Sequence, residues 1–133
     1  AYFSKTGHSE KIARAMGDAL NIEPVDIAQN PSLSQVDLLF IVSGIYYGQS
    51  DNKVVEFGRK LKPAMVQRVA LVTSCSSGKY ASDNLSQALK KNYIEILGEC
   101  MVMGSFFIRA AGRPNQKDYD KAIEFAKNMI KKA

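Results

Sequence analysis

Leu38-Leu39-Phe40-Ile41-Val42-Ser43-Gly44-Ile45-Tyr46-Tyr47-Gly48 is the stretch on which the fold turns. Residues 38–42 are apolar without alternation, the pattern of a strand covered on both faces. A strand with one wet face would alternate instead. Strands buried on both faces lie in the middle of parallel sheets, and parallel strands need crossovers, usually helices, between them. The sequence on either side should therefore alternate strands with helices.

Upstream it does. Tyr2 and Phe3 read as the end of a first strand, and His8–Leu20 puts Ile12, Ala13, Met16 and Leu20 on one helical stripe. Residues 22–27 read as a short second strand. The polar link with Asn30-Pro31-Ser32 is too short for a full helix. Downstream, Asp51 can cap a helix to about residue 61, residues 69–73 form a fourth strand, and Asp83 can cap a helix to about residue 97. Residues 101–108 give a fifth strand. After Gly112-Arg113-Pro114, Asn115 opens a last helix with Tyr119, Ala122, Ile123, Ala126 and Ile130 on one face. Five strands and about four helices predict an α/β fold, a doubly wound three-layer sandwich.

The chain's 133 residues, 46% of them hydrophobic, suit one domain spanning residues 1–133 around one core. The first strand is expected to begin before Ala1. No run approaches the about 20 apolar residues of a membrane span, and AYFSKTGHSEK lacks the apolar run of a signal peptide. A soluble cytoplasmic protein is expected. Cys75 and Cys100 have no CxxC spacing, and with a single histidine, His8, there is no zinc-type ligand set. Both are read as reduced thiols. The net charge of +5 is spread over segments read as helices, with no basic stripe interleaved with aromatics, which argues against nucleic acid. Solvated helix faces are the plain account; an acidic protein partner is the other.

Sheets of this kind bind ligands outside the carboxyl ends of the strands, beside the point where strand order reverses. Three loops of unusual composition leave such ends. In the first, Ser4-Lys5-Thr6-Gly7-His8-Ser9, hydroxyls, a glycine and the amides of a helix start make an anion site suited to phosphate. An ordinary helix cap by Ser9 or Thr6 accounts for the same residues. The spacing fits neither GxxxxGK[ST] nor GxGxxG. The second, Ser43-Gly44-Ile45-Tyr46-Tyr47-Gly48-Gln49-Ser50, puts two adjacent tyrosines between glycines, a wall for a flat ring. One ring packed and one exposed is the plainer alternative. The third runs Ser74-Cys75-Ser76-Ser77-Gly78-Lys79-Tyr80-Ala81-Ser82, small and polar enough for backbone amides to approach a ligand edge. Cys75 lacks the arginine of a C-x5-R phosphatase loop, since position 81 is alanine. It is otherwise a small strand-end residue.

With these loops in place, the chain resembles the flavodoxin family along nearly its whole length. The family's (S/T)-x-T-G-x-(S/T) is matched by Ser4, Thr6, Gly7 and Ser9, and residues 37–48 resemble its flavin-flanking segment. The resemblance implies a five-stranded parallel sheet of order 2-1-3-4-5; flavodoxins are a standing illustration of the switch-point rule, so this order is borrowed and not read from spacing. It implies flavin mononucleotide (FMN) as cofactor, with Ser4, Lys5, Thr6, Gly7, His8 and Ser9 at its phosphate. Ser43, Gly44, Ile45, Tyr46, Tyr47 and Gly48 would flank the ring on one side. Ser74, Cys75, Ser76, Ser77, Gly78 and Tyr80 would close the other.

The family's work is electron transfer between redox proteins, with the flavin carrying the chemistry and the protein tuning it. A backbone carbonyl near residues 44–48 or Gly78 would accept a hydrogen bond from the reduced ring. The chain departs from well-studied members in being basic and in having no tryptophan. Two other functions use similar parts. A flavin-dependent quinone or protoporphyrinogen oxidoreductase would need open space over the ring. A signalling receiver would need an acidic cluster at the strand ends, which Ser43 and Ser74 do not provide.

Overall fold

The computed structural model describes residues 1–46, 49–75, 83–103 and 114–133. The apolar run is the centre of β2 (Val36–Tyr46), which pairs in parallel with β1 (Tyr2–Phe3) on one side and β4 (Val66–Ser74) on the other. Beyond β4 lies β5 (Glu95–Val102), also parallel. The fifth strand is β3 (Gln49–Ser50), which folds back antiparallel on the end of β2.

The expected second strand over residues 22–27 does not form. One parallel bridge, Tyr2 to Asp26, stands in its place, with the Tyr2 N–H donating to the Val25 carbonyl at 2.9 Å. With that bridge in the place of a strand the order agrees in part with the expected 2-1-3-4-5, and the antiparallel β3 departs from the expected all-parallel sheet. Pro24 has no N–H for a ladder, and Ile22 and Val25 are 54% and 37% exposed, so little burial favours extension of the pairing.

α1 (His8–Leu20) and α4 (Gln116–Lys132) cover one face of the sheet; α2 (Asn52–Lys60) and α3 (Asp83–Lys91) cover the other. Period-2 alternation divides the central strand between them. Leu39 and Ile41 join Val54, Val55, Leu85 and Leu89, whereas Val42 joins Ile12, Met16, Ala122 and Ala126. That division is why the run shows no polar residue: each face has its own core. On α4 the inward position is Met129, and Ile130, expected inside, is 46% exposed. Gly98 lets α4 approach, since a Cβ there would lie 2.9 Å from Met129 Sδ.

α3 ends six residues before the expected boundary. Tyr93 takes φ +61°, a left-handed conformation that stops a helix, and the Ile94 N–H returns to the Leu89 carbonyl at 3.1 Å. Asn92 Nδ2 donates to the carbonyls of Arg59 (2.6 Å) and Leu61 (2.9 Å) at the end of α2. Residues 94–97 continue the helical period by coincidence, and β5 opens at Glu95 instead. One residue of β5, Leu97, is an extra bulged position: Ile96 pairs with Val69 and Gly98 with Ala70. Its carbonyl accepts from Lys132 Nζ at 3.3 Å. The expected strand continuation over residues 104–108 lies outside the described residues.

Both cysteines are buried and neither is in a disulfide. Burial pushes the Cys100 thiol above its ordinary range. An alkylating reagent near neutral pH is expected to modify Cys100 more slowly in the folded chain than in urea, because less thiolate is present and access is poorer. Equal rates followed by mass spectrometry would contradict the buried position.

Candidate functional site

The chain runs from β1 through α1 to the Asp26 bridge on one flank of β1, and continues from there to β2 on the other flank. The ends of β1 and β2 thus form a switch point, where connections leave in opposite directions and sheets of this kind bind ligands in the crevice outside the strand ends. Residues 4–7 follow β1 there.

α1 begins there without a side-chain cap. Its N-cap is Gly7, at φ +89°, a conformation open to glycine and strained for other residues. The two hydroxyls expected as ordinary caps are engaged elsewhere. Thr6 Oγ1 lies 2.9 Å from His8 Nδ1, and Ser9 Oγ lies 3.4 Å from Ser74 Oγ in a buried contact. Ser4 Oγ accepts from the Gly7 N–H at 2.8 Å and holds the turn. The helix start therefore presents main-chain donors and the positive end of its dipole toward the crevice, with exposed Lys5 and Thr6 beside them. This donor set of amides, hydroxyls and an ammonium fits a phosphate group.

The second loop is more ordered than the sequence suggested. Ser43, Gly44, Ile45 and Tyr46 continue β2; Ser43 is buried between Phe3 and Thr73, and Gly44 pairs with Ser74. Ile45 pairs with Ser50 and Tyr46 with Gln49, so the segment is a β-hairpin joined by positions 47 and 48. A residue in the strand can still pair outward through a hairpin, which is why the loop reading of residues 43–46 fails. Tyr47 and Gly48, and the side chain of Tyr46, lie outside the described residues. In the third loop, Ser74 closes β4, and Cys75 remains held by its N–H donating to the Val102 carbonyl at 3.0 Å. Ser76, Ser77, Gly78 and Tyr80 lie outside the described residues.

Three side-chain links join the three segments in pairs. Ser9 to Ser74 ties the first to the third. Lys5 Nζ lies 3.1 Å from Asp51 Oδ2, and Asp51 Oδ1 caps α2 by accepting from the Lys53 N–H at 2.8 Å, which ties the first to the end of the second. Asn84, at the start of α3, accepts from the Ser50 N–H at 3.2 Å and donates to the Ser50 carbonyl at 3.0 Å, which ties the second to the helix after the third. Asn84 and Asp51's second role were missed from sequence. Only the N-cap signal at Asp51 was visible there.

A recess of about 720 Å³ lies elsewhere, between residues 27–33 and the outer face of α2, where Lys53, Glu56 and Lys60 line it. It includes no residue of the three loops. Its mixed charges offer no defined ligand.

Comparisons with known proteins agree with this fold. The flavodoxin domain family matches residues 1–132. An uncharacterised protein of Methanocaldococcus jannaschii is 30% identical, the match covering 93% of this chain and 91% of that one. Among solved structures, the flavodoxin of Streptococcus pneumoniae superposes with a TM-score of 0.68 at 16% identity, over 99% of this chain and 96% of that one. The two-electron reduced flavodoxin of Megasphaera elsdenii gives 0.63 at 17% identity, over 95% and 98%. At these identities the structural likeness concerns the fold.

Proposed function

The chain belongs to the flavodoxin domain family, and from that premise we propose that it binds FMN noncovalently and carries electrons between redox protein partners. The observation that carries the reading is the start of α1, which has no side-chain cap and opens on the crevice beside Thr6 and Lys5. Residues 4–9 would hold the phosphate. Residues 43–48 would flank the ring on one side, and residues 74–78 with Tyr80 on the other. Bound there, the flavin supplies the one- and two-electron chemistry. The chain's own part is to bind the phosphate, orient the ring and fix the polarity around it. A main-chain carbonyl of the hairpin would accept a hydrogen bond from the reduced ring.

The net charge of +5 supports an acidic docking surface on the partner. Among the described residues, no helix is long and apolar enough to cross a membrane. We read residues 1–133 as a single domain working in the cytoplasm.

Recording the visible spectrum of the purified chain, then adding FMN and titrating with dithionite, tests the reading. Flavin bands that co-purify or appear on binding, followed by reduction in two resolved one-electron stages, are expected. Reduction in one two-electron stage together with steady quinone turnover would assign an oxidoreductase instead. Failure to bind FMN would remove the cofactor from this account.

A further inference from the structure

The hairpin that would form one wall of the ring site is anchored at its two ends in different ways. At Tyr46 it continues β2, the central strand. At Ser50 the sheet pairing stops, and the residue is only 2% exposed, so its main-chain N–H and C=O need partners from the protein. Both partners come from one side chain. Asn84 accepts from the Ser50 N–H and donates to the Ser50 carbonyl, an amide standing in for a neighbouring strand. The same Oδ1 accepts from the Leu85 N–H at 3.0 Å, which fixes the amide's orientation: two donors face its oxygen and one acceptor faces its nitrogen. The Ser50 hydroxyl adds no tie, being buried without a hydrogen-bond partner among the described residues.

Asn84 also lies in the first turn of α3, the helix that receives the third loop. The end of the hairpin and the start of the helix that follows the third loop therefore meet at this amide. The links through Ser9 and Lys5 differ in that each runs to the phosphate-side loop.

We infer that Asn84 is a positioning residue that sets the spacing between the two walls of the ring site, and through it the affinity and potentials of the bound flavin. The inference rests on the FMN reading given above. In the FMN-free protein, Asn84→Ala is expected to speed amide hydrogen exchange at Ser50 by at least about tenfold, the equivalent of losing one to two net hydrogen bonds. Amides of β4 at Val69 to Val72 should keep their wild-type rates. With FMN, the variant's dissociation constant should rise about tenfold on the same basis, and the gap between its two one-electron potentials should change. Asn84→Asp keeps both acceptor bonds but replaces the donor to the Ser50 carbonyl by a second oxygen that repels it. Its effect on FMN affinity and potentials should run in the same direction, and it serves if the alanine variant does not fold.

Wild-type FMN affinity and potentials in the variants would overturn the inference while leaving the FMN reading intact, even if Ser50 exchanged faster. An unchanged Ser50 exchange rate would overturn it as well. A wild-type chain that fails to bind FMN would instead defeat the reading itself, and the flavin part of the inference with it.

Discussion

Thr6→Leu is expected to lower FMN affinity by about two orders of magnitude while leaving the denaturation midpoint where it was. The two halves have separate grounds. Thr6 is exposed, and its hydroxyl contacts only the neighbouring His8 ring among the described partners, so the folded chain loses little. At the proposed phosphate site, however, leucine removes a hydroxyl that can donate to a charged oxygen and sets an isobutyl group where a solvated anion must lie. A hydrogen bond to a charged group contributes about 1.5–3 kcal/mol, or roughly one to two powers of ten in affinity, before any steric term. Fluorescence titration with FMN gives the affinity directly. Wild-type binding by this variant would remove residues 4–9 as the phosphate loop.

The second large effect concerns stability. Asp118, on the first turn of α4, is 3% exposed, and its carboxylate serves both ends of the connection between β5 and α4. Oδ1 accepts from the Met103 N–H at 3.3 Å and Oδ2 from the Asn115 N–H at 2.9 Å. The Asn115 side chain reciprocates by capping α4, completing a capping box. Asp118→Ala strands two donors and removes an anion from the positive end of a helix dipole. Together these should cost about 3 kcal/mol, from about 1–2 for the cap and at least about 1 for the orphaned groups. Urea denaturation should show a lower midpoint with an unchanged slope. Asp118→Asn, which keeps an acceptor oxygen, should recover part of the loss. A change under about 0.5 kcal/mol, the usual size for a neutral surface substitution, would mean that the carboxylate is not holding the junction.

The parts legible in the sequence were those set by neighbours along the chain. α1 was readable end to end because its apolar period is local, although its cap is Gly7 and neither Ser9 nor Thr6. The caps at Asp51 and Asn115 were readable for the same reason. β2 was legible in its core and misjudged at its end, since whether residues 43–46 are strand or loop depends on a partner, Gln49–Ser50, that has no apolar pattern of its own. The end of α3 was hidden because Asn92 stops the helix by serving carbonyls of α2 more than 30 residues away, at |i−j| of 33 and 31.

The ligand end divides similarly. The hydroxyl-rich first loop announces itself by composition. The ties that place the loops against one another do not, because Ser9 meets Ser74 across 65 residues and Asn84 meets Ser50 across 34. No one of these residues is unusual for its position. Only the fold brings them together.

The bulge at Leu97 bears on how this chain behaves among other copies of itself. Among the described residues β5 ends the order of the sheet, and a straight rim of eight residues would offer a template on which another chain could lay down a strand. The extra residue, third of the eight, breaks the even spacing of main-chain donors and acceptors along that rim, and Lys132 binds its carbonyl and brings charge to it. An intruding strand would meet a mismatch in register and an ammonium that must be displaced. One surplus residue and one lysine from the far end of the sequence thereby make this edge a poorer template than a regular strand would be.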